Sequence, residues 1–285
     1  MTGQNPMTDQ RQENAVREWV YPPVIRTALT FFRLLGIRFD LRGTDNVPAT
    51  GGAVLASNHV SYLDFMFVGL PAHRARRRLV RFMAKKAVFD HRISGPLMRG
   101  MHHIPVDRKA GAAAYRHALD ALRSGELIGV FPEQTISRSF VPRPLKTGAA
   151  RLAIEADVPL IPVVVWGGQR IWTTGRKAKL RRKVAVSVWV DAPMSRVEGE
   201  TAAELTDRLA GRLRELVDEV LAAYPDRPVT GDEWWLPAHL GGAAPTPAEA
   251  ALVEQRSLQG KIAQKTTAQE TTPQETTTLP DSTGA

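Results

Sequence analysis

The chain of 285 residues contains no cysteine. Disulfides, thiolate nucleophiles and cysteine-ligated zinc are therefore excluded, and the composition suits a reducing compartment. A membrane-spanning run is also missing. The best candidate, residues 24–35, is short and interrupted by Arg26 and Arg33, too little to cross a bilayer. The polar start has no apolar core followed by a small-residue cleavage site, so residues 1–13 read as a disordered leader rather than a signal peptide. Aromatics are only 7% of the chain, and with no nucleic-acid motif there is little for base stacking. There is no internal repeat and no glycine-rich nucleotide fingerprint.

What is abundant is positive charge. The formal net charge is +9, and the tail from Ala243 carries three basic and five acidic residues, so residues 1–242 carry +11. Such a surface attracts nucleic acid, anionic lipid or phosphorylated ligands. Seven basic residues and no acidic one fall between Arg74 and Lys86. That run is either a solvated face or, given its imbalance, a contact for an anionic partner. Residues 24–35, started by Tyr21-Pro22-Pro23 and stopped by Gly36, read as a helix rich in leucine and aromatics. It either lies in a membrane interface or packs on the core.

Apolar runs at 53–56, 79–84, 127–131, 158–166 and 184–190 read as buried strands, with helices between them. A half-exposed strand is read at 38–42 and a short one at 100–108. The alternation argues an α/β fold with a mainly parallel, mixed sheet covered by helices on both faces. Residues 109–124 predict a helix with Ala112, Tyr115, Leu119 and Leu122 on one face. Residues 201–223 predict a long one burying Leu205, Leu209, Leu213, Leu216, Val217, Val220 and Leu221. The domain ends near Tyr224-Pro225. Trp234-Trp235-Leu236-Pro237 either folds back or meets lipid headgroups. From 243 the chain reads as largely disordered, with a short helix over 247–265.

Polar residues cluster where such strands end, which is where open α/β sheets place their sites. The first cluster is Asn58-His59-Val60-Ser61-Tyr62-Leu63-Asp64. On one continuous helix His59 and Asp64 would point about 140° apart. A strand-turn-helix bend with Ser61 as N-cap brings them together. Then the imidazole can take a proton from a hydroxyl while the carboxylate fixes its tautomer. The plainer alternative is a helix start with a polar turn residue. His102-His103 would point to opposite faces of a strand, so they make no joint metal site. Arg108, at a strand end, either grips a phosphate or pairs with Asp107. Glu133, Thr135, Ser137 and Arg138 follow the 127–131 strand and suit a hydroxylated, phosphorylated ligand; otherwise Glu133 pairs with an arginine. Lys146, beside the helix start at Gly148, suits a phosphate cradle.

Taken together, these stretches resemble the glycerolipid acyltransferase family, including the 1-acylglycerol-3-phosphate acyltransferases. His59-Val60-Ser61-Tyr62-Leu63-Asp64 is similar to its His-x-x-x-x-Asp motif. Ile104-Pro105-Val106-Asp107-Arg108, Phe131-Pro132-Glu133-Gln134-Thr135 and Val158-Pro159-Leu160-Ile161-Pro162-Val163 resemble its second, third and fourth motifs, in order. The resemblance implies an acyltransferase domain over 37–224, behind a membrane-associating helical segment at 14–36 and ahead of an extension at 225–285. It implies His59 as general base, Asp64 as its orienter, and Arg108 and Glu133 shaping the acceptor site, with Ser61 no nucleophile; Thr135, Arg138 and Lys146 join them from the reading of the residues above. It implies no cofactor. The implied partners are a lipid acceptor, acyl-CoA or acyl carrier protein as donor, and an anionic membrane surface, on whose cytoplasmic face the protein would sit peripherally. Glycerol 3-phosphate or another lipid-linked hydroxyl is the alternative acceptor, and a non-catalytic basic membrane-binding module the alternative class. The third motif departs from Phe-Pro-Glu-Gly-Thr-Arg-Ser: Gln134 stands for its glycine and Ile136 for its arginine. Arg138, Arg143 or Lys146 is then needed to replace that cation.

Overall fold

The computed structural model describes residues 18–107 and 111–270. Seven strands form one sheet: β1 (Arg38–Arg42), β2 (Ala53–Ser57), β3 (Val80–Lys85), β4 (Ile104–Val106), β5 (Leu127–Val130), β6 (Leu160–Trp166) and β7 (Ala185–Val190). Their order across the sheet is β1-β7-β6-β2-β5-β3-β4, parallel throughout except between β6 and β7. The expected mixed, mainly parallel sheet is thus what forms. The central strands β2 and β6 are buried at every position, because helices cover both faces and an unbroken apolar run suits both. Edge strand β1 is instead exposed at both ends and half-buried at its three central positions.

Successive side chains point to opposite faces, and β2 divides accordingly. Val54 and Ala56 join one core with Leu122, Leu152, Leu209 and Leu213. Ala53 and Leu55 join the other with Phe32, Phe67, Val68 and Phe82. The first core lies under α5 (Gly111–Arg123), α6 (Gly148–Ala156) and α7 (Ala202–Ala223). The second lies under α1 (Tyr21–Leu34) and α2 (Asp64–Arg76); α3 (Lys86–Asp90) and α4 (Ser94–Gly100) are short. Helix α7 buries the apolar stripe read from its sequence. A capping box starts it: Thr201 Oγ1 accepts from the Glu204 N–H, and Glu204 Oε2 from the Thr201 N–H.

Three local expectations are corrected. Helix α2 starts at Asp64 with Leu63 at its N-cap, so Ser61 is not the cap; its hydroxyl is engaged elsewhere. In α5 Gly111, Ala112 and Ala113 are exposed, and the inward stripe is Ala114, Ala118, Leu119 and Leu122, with Tyr115 half-buried against the same core. His102 and His103 precede β4 rather than lying in it, with His102 in the left-handed region (φ 55°). The helix read at 247–265 in the tail forms as α8 (Pro247–Glu270). The leader 1–13 lies outside the described residues. Helix α1 packs Ala28 and Phe32 on the sheet, while Phe31 and Leu34 are exposed. Trp235 folds back and is buried in the first core. Among the described residues no helix is long and apolar enough to cross a membrane.

Candidate active site

Strand register assembles the site. Ala56 on β2 pairs with Val130 on parallel β5. His59 and Glu133 each follow three residues later, so the two turns leave the sheet side by side. The His59 N–H donates to Glu133 Oε1 at 2.8 Å, and the Ser137 N–H donates to the His59 carbonyl at 2.8 Å. One residue earlier, the Asn58 side chain closes the ladder on β6. Its Nδ2 donates to the Val165 carbonyl at 3.0 Å and its Oδ1 accepts the Val165 N–H at 2.8 Å.

The turn brings Asp64 back onto the imidazole. Asp64 Oδ2 lies 2.9 Å from His59 Nδ1 and also accepts the Val60 and Ser61 N–H groups at 2.7 and 2.8 Å. An oxygen held by two backbone donors can only accept from the ring, which puts the ring proton on Nδ1 and the lone pair on Nε2. Asp64 is fully buried. Burial pushes its pKa up, and its hydrogen bonds to His59, Ser61 and Val60 oppose that. The imidazole is 19% exposed, with one face stacked on Phe131 at 4.2 Å between centroids. A tautomer-fixed, partly exposed imidazole backed by a buried carboxylate is the arrangement a general base needs.

Glu133 is buried and accepts a second backbone donor, the Arg143 N–H, at 3.0 Å on Oε2. Burial, the largest influence, pushes its pKa up to about 8. Its structural partners are thus two backbone amides, where the sequence had suggested an arginine side chain. The Arg143 guanidinium pairs with Glu254 of α8. Of the other expected site residues, Thr135 has its hydroxyl buried without a partner among the described residues. Arg138 is half-buried and set against Gly175, where a Cβ would lie 2.4 Å from its Nη1. Lys146 is exposed, Ile136 is buried, and Arg108 lies outside the described residues. Gln134 is exposed and left-handed (φ 64°). Ser61 Oγ donates to the Trp172 carbonyl at 2.8 Å and accepts the Leu63 N–H at 3.0 Å. His103 is buried and its pKa is pushed down to about 3, chiefly by burial, so it stays neutral. Among the described residues no cluster of three or more His, Asp or Glu side chains could hold a metal.

Three contributors escaped the sequence reading: Asn58, the stacked Phe131, and the loop after β6. In that loop the Trp172 carbonyl also accepts the Tyr62 N–H at 3.2 Å, and Thr173 Oγ1 donates to the Val60 carbonyl at 2.7 Å. The Asn58 side chain could be suspected from its place between a strand end and the histidine. The other two depend on contacts across the fold. The basic run 74–86 proves partly internal. Arg78 donates to the Pro48 and Gly51 carbonyls, and buried Arg81 pairs with Glu18 and Glu126.

A family model described as Acyltransferase matches residues 38–166, from the first residue of β1 to the last of β6. Over that span the chain is similar to the acyltransferase family. The matched span holds His59, Asp64 and Glu133; β7, α7 and α8 lie beyond it. A Bacillus subtilis 1-acyl-sn-glycerol-3-phosphate acyltransferase is 27% identical over 183 residues, 62% of this chain and 86% of that one. A Limnanthes douglasii protein of the same name is 30% identical over 146 residues, half of each chain. The crystal structure of the 1-acyl-sn-glycerophosphate (LPA) acyltransferase PlsC from Thermotoga maritima superposes with a TM-score of 0.60 at 20% identity. It covers 78% of this chain and 86% of its own, so this chain shares that α/β fold.

Proposed function

We propose that this acyltransferase moves a fatty acyl group from a thioester, acyl-CoA or acyl carrier protein, to the free hydroxyl of 1-acylglycerol 3-phosphate, giving phosphatidate. The observation that carries this reading is the 2.9 Å pairing of His59 Nδ1 with buried Asp64, which leaves Nε2 basic. The acceptor hydroxyl gives its proton to Nε2 as its oxygen bonds to the thioester carbonyl carbon. The tetrahedral intermediate then collapses, the C–S bond breaks, and the sulfur leaves as a thiol with the proton held on the imidazolium. No cofactor is needed. Asp64 stabilises the imidazolium, and Glu133 fixes the turn through the His59 N–H. The name of the Bacillus relative, matched over 86% of its length, supports the acceptor. Arg108, Arg138 and Lys146 would supply the cations for its phosphate, and the Thr135 hydroxyl, buried without a partner among the described residues, a polar contact.

An apolar groove between α1, α2 and β3, lined by Val24, Ile25, Leu29, Phe65, Met66 and Leu70 among others, offers a surface for the acyl chain. Phe65 and Met66 directly follow Asp64. The protein would act peripherally on the cytoplasmic face of the membrane. A second acceptor, glycerol 3-phosphate or another lipid-linked hydroxyl, is favoured by one observation: Ile136 is buried where the family motif carries an arginine.

The test offers purified protein and long-chain acyl-CoA with lysophosphatidate, glycerol 3-phosphate or a lipid extract. Phosphatidate from lysophosphatidate, falling at least about 10²-fold in His59→Ala, is expected. Product only from another acceptor would keep the pair and move the substrate. Undiminished turnover in folded His59→Ala would remove the mechanism.

A further inference from the structure

The loop between β6 and β7 holds six cations in eight positions, Arg176, Lys177, Lys179, Arg181, Arg182 and Lys183, and no acid. Two of them are engaged. Arg181 forms a two-point ion pair with Asp232, at 2.6 Å for each contact, and Arg176 lies over the Trp234 ring at 4.0 Å. The other four are exposed and have no ion pair among the described residues. Between them projects Leu180, 67% exposed, and Trp172, 43% exposed, begins the same stretch. Trp172 packs at a tilt against Tyr62 of the catalytic turn, 4.8 Å between centroids, and Tyr62 is itself 44% exposed. Large apolar tips ringed by unpaired cations are costly in water alone, and they match a surface that is anionic outside and apolar within.

The same loop grips the site. Trp172 and Thr173 hold the backbone and hydroxyl of Val60, Ser61 and Tyr62 through the three hydrogen bonds described above, and Gly175 packs on Arg138. Its far end meets α1, where the Lys183 N–H donates to the Leu35 carbonyl at 2.8 Å. It therefore continues from the exposed Phe31 and Leu34 to the catalytic turn.

We propose that loop 172–183 is a docking surface for an anionic lipid bilayer, and that docking steadies the His59 turn. The docking itself is independent of the acyl-transfer reading; its effect on turnover rests on that reading.

The experiment measures binding of the full chain to phosphatidylcholine vesicles with and without phosphatidylglycerol, using wild type, Leu180→Glu, the pair Lys177→Gln with Lys179→Gln, and Leu34→Glu. Melting curves check that each variant is folded. Wild type should prefer the anionic vesicles, and added salt should weaken that binding. The lysine pair should lower affinity for anionic vesicles about 30-fold, at about 1 kcal/mol per cation, with little change on neutral ones. Leu180→Glu should weaken binding to both. Intact anionic binding in the loop variants, with loss in Leu34→Glu, would assign docking to α1 and overturn the proposal. So would loss of binding to an acidic carrier protein with vesicle binding intact. With short-chain soluble substrates and no vesicles, the loop variants should turn over like wild type and lose only the stimulation by anionic vesicles. Equal loss without vesicles would make the loop plain scaffold, against the proposal. Loop-dependent vesicle binding by a wild type that transfers no acyl group would uphold docking and remove the proposed reaction.

Discussion

Replacing Asp64 by asparagine isolates the charge of the pair from its geometry. The Val60 and Ser61 N–H groups converge on Oδ2 at 2.7 and 2.8 Å, so an amide must present its oxygen there and not its NH2. The substituted side chain therefore keeps accepting from His59 Nδ1, and its nitrogen takes the place of Oδ1, which already has no partner among the described residues. The ring stays oriented and its tautomer is kept. What disappears is the attraction between carboxylate and imidazolium. For charge centres about 4 Å apart that is worth about 4 kcal/mol at an effective dielectric constant of 20, or about 10³ in rate. In a continuous assay of thiol release from acyl-CoA, kcat should fall about 10³-fold, within the usual range for a general base. KM for both substrates should stay near wild type. A folded Asp64→Asn enzyme with kcat within about tenfold of wild type would refute the charge argument. A loss confined to KM would place Asp64 in binding.

Two further outcomes follow from the neighbouring turn. Gln134 holds a left-handed backbone (φ 64°) with its side chain exposed, so Gln134→Gly should stabilise the fold by about 1 kcal/mol after the entropy of glycine is set against the relieved strain, raising Tm by roughly 2–4 °C; a lower Tm would mean that its side chain makes a contact worth more than the strain. Glu133, whose pKa is raised from 4.5 to about 8 by burial, binds its proton more tightly folded than unfolded. The stability this contributes is fully present below about pH 4.5 and is lost as pH rises through about 8, by an amount on the order of 5 kcal/mol. Glu133→Gln should flatten the fall in Tm between about pH 5 and pH 9, and an unchanged slope would show that Glu133 is ionised throughout.

The parts of the fold legible in sequence are those set by local patterning. Strands β2 and β6 are unbroken apolar runs, and α7 carries both its stripe and its capping residues within 23 positions, Thr201 to Ala223. His59 and Asp64 were legible because both lie in one turn at a strand end. What misled were groups whose partners are distant in sequence. Arg81 looked like part of a solvated or anion-binding run, yet it is buried on Glu18 and Glu126, 63 and 45 residues away. Ser61 looked like a helix cap because no local signal announces that Trp172, 111 residues on, takes its hydroxyl.

The altered third motif shows how a site tolerates what sequence alone marks as damage. The loop 131–146 holds the catalytic turn through the Glu133 carboxylate and the Ser137 N–H, and is itself tied down by the Arg143 N–H and by the Lys146 N–H on the Pro132 carbonyl. Apart from Glu133, these are backbone groups that any side chain leaves in place. Gln134 needs only a left-handed backbone, which it adopts, and Ile136 needs only an apolar setting, which it has. The two departures therefore leave the His59–Asp64 geometry untouched and act on the acceptor side, where a cation of the family motif has become a buried aliphatic. On the proposed reading, acyl transfer rests on the His59–Asp64 turn and acceptor choice on side chains of loop 131–146, so the second can change while the first is kept.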